Sequence, residues 1–62
     1  MEASKTYEKL RDIAMRMEPD MNKFSAKVNA AAGRRVRKGA QEVRKLCQEL
    51  RKQIQDTINQ NK

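Results

Sequence analysis

The sequence predicts an all-α protein: an antiparallel two-helix hairpin of coiled-coil type, dimerising into a four-helix bundle. Three observations predict it. Two stretches, residues 7–28 and 36–58, carry apolar side chains at spacings of mostly three and four, the repeat of a helical seam. A short break at Val28 and Asn29 separates them. The 62 residues include one Phe, one Tyr and no Trp, too little for a substantial core in one small chain, so self-association is expected to supply the missing burial. One domain spans residues 1–62.

Helix 1 is predicted over about residues 4–28. Its seam reads Tyr7, Leu10, Ala14, Met17, Met21, Phe24 and Val28. Ser4 is the expected N-cap, and Glu8 near the first turn complements the helix dipole. Pro19 removes one backbone hydrogen bond and crowds the preceding turn. The seam keeps its phase from Met17 to Met21 to Phe24, so a kinked but continuous helix is expected rather than a break. The turn falls at about residues 28–30, where Asn29 can cap the next helix.

Helix 2 is predicted over about residues 30–59, with a seam of Val36, Ala40, Val43, Cys47, Leu50, Ile54 and Ile58 and a fraying tail. Pairing positions whose numbers sum to about 60 sets Phe24 against Val36, Met17 against Val43 and Leu10 against Leu50. Ile13 and Leu46 lie beside the main stripe and widen it beyond one helix–helix contact, as a bundle of two hairpins requires. The expected core and dimer seam is therefore Leu10, Met17, Met21, Phe24, Val36, Val43, Leu46, Leu50 and Ile54.

The net charge is +7 and the isoelectric point near 10.1. Residues 1–31 hold six basic and five acidic side chains, whereas residues 32–62 hold nine and three. The first half reads as scaffold and the second as a surface for an anionic partner. With Val36 at zero and 100° per residue, Arg37, Arg44 and Arg51 fall at about 60–100° and Arg34, Lys38, Lys45 and Lys52 at about 160–200°. Gln41, Gln48 and Gln55 fill the band between these two rows. Glu42, Glu49 and Asp56 gather at the far edge, with Arg35 beyond them. No aromatic side chain interleaves the rows, so a stacking platform for single strands is absent. Backbone contact to duplex DNA with little sequence preference is the economical reading. An acidic protein partner or RNA offers the same electrostatics, and a basic coiled-coil surface that is simply solvated is the plain alternative.

Gly33 and Gly39 bracket the RRVRK run, and each costs a helix interior about 1 kcal/mol relative to alanine. They serve either close approach to a phosphate or close approach of helix 1. Cys47 lies on the seam and reads as a small buried hydrophobe, Met17 and Met21 as core filler, and Met15 as exposed. With one cysteine and no histidine, neither an internal disulfide nor a zinc cluster is available. No nucleophile–base pair or phosphate loop supports enzyme chemistry, a small-molecule substrate or a cofactor. No apolar run suits a signal peptide or a membrane span, and a free thiol fits a reducing compartment. A cytoplasmic protein is expected.

The run NAAAGRRVRKGAQE at residues 29–42, continuing as RKLCQELRKQIQ at residues 44–55, resembles the linker-histone-like nucleoid proteins of the chlamydial type and their short single-domain relatives. The likeness extends from about Tyr7 to Gln55. It implies a bacterial, nucleoid-associated DNA-binding protein, with Arg34, Arg35, Arg37, Lys38, Arg44 and Lys45 as contacts; the basic rows add Arg51 and Lys52. Two departures stand out. These residues hold no long Lys/Ala-rich tail of the kind found in the larger chlamydial members, so condensation by a disordered tail is not expected. Pro19 stands where the relatives usually continue a helix.

Overall fold

Asn29 decides where the second helix begins. In the computed structural model, which describes residues 1–61, its backbone is extended and its side-chain Oδ1 accepts a hydrogen bond from the Ala32 N–H at 3.1 Å. That bond satisfies one of the amides a helix start leaves open. From there α2 runs over Ala30–Gln60, 31 residues. The preceding helix, α1, runs over Glu2–Ala26, 25 residues. Lys27, extended at φ −160°, closes it by donating its N–H to the Lys23 carbonyl at 3.2 Å. Replacing Asn29 by alanine is expected to cost about 1 kcal/mol, read as a lower midpoint in urea with an unchanged slope.

The two helices pack antiparallel as a hairpin 51 Å long and 14 by 12 Å across. Among the described residues there is no strand. Helix α1 is uninterrupted through Pro19. The missing N–H would have met the Met15 carbonyl, and both residues lie on the exposed side, where water can satisfy that oxygen. The start of α1 differs from expectation. Ser4 lies inside the helix, Met1 occupies the N-cap with no side-chain bond, and Thr6 Oγ1 donates to the Glu2 carbonyl at 3.2 Å. Val28 leaves the seam and stands in the turn, 84% exposed.

Two further expectations are corrected. The facing pairs Phe24 with Gly33 and Met17 with Gly39 have numbers that sum to 57 and 56, not 60. A three-residue connection centred on Val28 sets that register, about one helical turn tighter. The helices are also rolled relative to the expected seam. The sides turned toward each other carry Ala3, Thr6, Leu10, Ile13, Met17 and Asp20 on α1, and Ala32, Val36, Gly39, Val43, Leu46, Leu50, Gln53 and Thr57 on α2. Leu10, Met17, Val36, Val43, Leu46 and Leu50 thus lie between the helices, half-buried. Met21, Phe24 and Ile54 are more open, at 44%, 36% and 46% exposed, as are Tyr7 and Ile58, and Ala14, Ala40 and Cys47 are exposed.

The glycines explain the roll. A Cβ on Gly39 would lie 2.8 Å from Met17 Cγ, and one on Gly33 would lie 2.9 Å from the Phe24 ring. Each glycine therefore admits a large side chain of α1 against α2 backbone, and the Gly39 edge of α2 turns inward. Of the two roles open to these residues, helix approach is the one the packing uses.

Candidate nucleic-acid interface

With α1 packed along one side of α2, the opposite edge of α2 lies about 140° from Val36. The seven basic side chains of the two rows, Arg34, Arg37, Lys38, Arg44, Lys45, Arg51 and Lys52, are exposed, and so is Arg35. Those seven fall within about 80° of that outer edge, and Gln41 and Gln48 lie at its centre. The arrangement follows from the sequence period: a wide apolar stripe toward α1 forces the residues between its repeats outward. From Arg34 to Lys52 the edge extends about 27 Å.

Arg35 is the exception. Its guanidinium lies on the side turned toward α1 and forks onto the Asp20 carboxylate, with Nη2 donating to Oδ1 at 2.8 Å and Nε to Oδ2 at 3.0 Å. This is the one salt bridge among the described residues. Arg35 therefore also serves the hairpin, and Asp20 offsets part of its charge. The sequence signal for it was available in principle: Asp20 falls three residues after Met17 and four before Phe24, in phase with the inward side of α1.

The hydrogen bonds from Arg35 hold the Asp20 carboxyl below its usual range, helped by the charges of Arg35 and Lys23 and opposed by partial burial. A lowered folded value means that the pair stabilises the hairpin above the ordinary carboxylate pKa of about 3.9. The contribution is lost as pH falls through the folded value. Melting temperatures at pH 5 and pH 2 check this: Asp20→Asn should be less stable than the parent at pH 5, and the difference should shrink at pH 2.

The two broad faces of the hairpin differ. One groove is lined by Ala14, Met17, Glu18, Met21, Asn22, Val36, Ala40 and Val43 and is mainly apolar. Across the molecule, Lys9, Asp12, Arg16, Asp20, Arg35, Lys38, Glu42, Lys45 and Glu49 line a face of mixed sign. Lys38 and Lys45 stand where that face meets the basic edge. Arg34 and Arg37 border a shallow recess beside Phe24 and Gly33. The sequence reading missed the polar inward positions Thr6, Gln53 and Thr57, where Thr57 Oγ1 donates to the Gln53 carbonyl at 2.8 Å. Gln53 Oε1 is buried there without a partner.

Among the described residues, no group of three or more His, Cys, Asp or Glu side chains is placed to hold a metal ion. Nor, among the described residues, is any helix long and apolar enough to cross a membrane. A family model described as "Histone H1-like protein Hc1" matches residues 4–60. No curated protein matches the chain, and no solved structure does.

Proposed function

The chain belongs to the histone H1-like protein Hc1 family, and from that premise we propose that it binds duplex DNA through the outer edge of α2 and organises or compacts a bacterial nucleoid. The observation that carries the reading is the segregation of charge. Seven exposed basic side chains share one edge of α2, while Asp12, Glu42 and Glu49 lie on the mixed face and Asp20 pairs with Arg35. A duplex presents about one phosphate charge per 1.7 Å of axis, so an edge of about 27 Å runs beside many phosphates at once.

Binding is mainly electrostatic and weakly sequence-selective. Lys and Arg on a regular helix edge meet phosphate oxygens at any sequence, whereas base readout needs bidentate partners aimed into a groove. Arg34, Arg37, Arg44, Lys45, Arg51 and Lys52 are the contacts on this reading, with Lys38 at the border and the charge of Arg35 partly offset by Asp20. A salt titration tests the proposal. With four to six phosphates neutralised, log affinity for a duplex should fall against log salt with a slope of about −4 to −5. Absence of binding at low salt would overturn the reading in favour of an acidic protein partner, and stronger binding to RNA than to DNA in competition would reassign the nucleic acid.

A further inference from the structure

The apolar groove has no cover within the hairpin. Tyr7 and Met21 on α1 and Ile54 and Ile58 on α2 are each about half exposed, and no large side chain is fully buried among the described residues. The chain shows 5312 Å² of accessible surface, against about 4,100 Å² for a globular monomer of its mass. The excess is larger than the roughly 800 Å² that each partner buries in a standard stable interface.

We propose that a second copy of this chain covers the groove with its α1 over the first copy's α2, so that the two basic edges lie on opposite sides of a four-helix bundle. Resting on the duplex-binding reading above, the same dimer bridges two DNA segments rather than coating one.

Charge selects this arrangement. Two twofold axes bring the grooves face to face. An axis across the helices sets α2 against α2, which places Arg37, Arg44 and Arg51 of both copies along one shared rim. These arginines lie about 20–100° beyond the exposed apolar stripe of α2, so six like charges would meet there. An axis along the helices sets α2 against the other copy's α1 instead. The rim of α1 carries Glu18 on the groove and is nearly charge-balanced. Both copies then have their turns at the same end and share one register. Positions that sum to about 56 fall level, as they do within one hairpin, which sets Arg37 beside Glu18 of the other copy. Tyr7 falls level with Cys47 of the other copy, a ring against a small side chain, as interdigitation needs. Every neighbouring helix pair is antiparallel.

The turn gives a direct readout. Val28 is 84% exposed, so Val28→Cys in a Cys47→Ala background accepts a spin label without touching either interface. Pulsed dipolar spectroscopy should find the two labels about 10–20 Å apart, the scale of neighbouring helices plus label arms. A separation near the 51 Å length of the molecule, or a monomer in sedimentation at micromolar concentration, would overturn the arrangement. Ala14→Glu tests the bridge, because Ala14 lines the apolar groove on α1 and is exposed in the hairpin, so the added charge obstructs the docking and stands away from the basic edge of α2. The parent protein should hold a fluorescent duplex on beads carrying a second duplex. Ala14→Glu should lose that capture while still shifting a single duplex; capture retained by a monomeric Ala14→Glu would count against bridging. If neither protein binds a duplex, the DNA reading and the bridge fall together, and the label distance still decides the docking.

Discussion

Replacing Arg34, Lys45 and Lys52 by glutamine should weaken duplex binding about 500-fold at 0.1 M salt. The figure follows from counterion release. Each phosphate contact contributes a slope of about 0.9 in log affinity against log salt, which extrapolates to about 8-fold per contact between 1 M and 0.1 M. The three side chains stand within about 40° of the outer edge of α2 and extend along its whole basic length. Their loss should also flatten the salt slope by about 2.7. All three are exposed, so helicity by circular dichroism should not change. The control is charge-matched: Lys5, Lys9 and Lys23, exposed on α1, changed together to glutamine. An equal loss in that variant would mean that affinity follows net charge and that the α2 edge has no special part.

The largest expected effect on folding comes from Gly39→Leu. A Cβ at that position already falls 2.8 Å from Met17 Cγ and 2.9 Å from its Sδ. Cγ sits one bond from Met17 Cβ and cannot move aside without turning the whole side chain. Overpacking of this kind costs about 1–3 kcal/mol and more when the backbone must shift. The gain in helix propensity, somewhat under 1 kcal/mol, offsets only part of it. At about 4–8 °C per kcal/mol for a domain of this size, the melting temperature should drop by roughly 5–15 °C. Met17→Ala combined with Gly39→Leu returns the volume to the other helix and should recover most of the loss. An additive pair of losses would show that the two side chains do not share a site.

The hairpin itself was legible because its signals are local or periodic. Asn29 followed by three alanines marks a helix start through side-chain chemistry that needs no distant partner. The three–four spacing crosses Pro19 without a change of phase, and α1 does the same. The side of each helix that turns inward was less legible, because hydrophobicity counts only apolar residues. Ala3, Thr6 and Asp20 on α1, and Gly39, Gln53 and Thr57 on α2, occupy inward positions in the same heptad rhythm. A search restricted to apolar side chains selected instead the middle of a wide stripe. The stripe had two edges: the Ile13 and Leu46 edge went between the helices, and the Tyr7, Cys47 and Ile54 edge remained open. Register was beyond a pattern reading because it depends on how tightly the chain turns at residues 27–29. Among the basic candidates, Arg35 stood apart on the wheel, but its diversion to Asp20 requires that tighter register.

The three-residue turn also bears on the order in which contacts can form. Phe24 and Gly33 are separated by 9 positions and Met17 and Gly39 by 22. Closing the longer loop from the open chain costs only about 0.8 kcal/mol more than closing the shorter one. Once the first pair has met, the second is nearly adjacent, and every later pair is nested in the same way. Such a chain folds as a zipper from its bend, with low contact order and correspondingly fast kinetics. Changes near Phe24 and Asn29 then act chiefly on the folding rate, and changes near Thr6 and Gln53 chiefly on the unfolding rate.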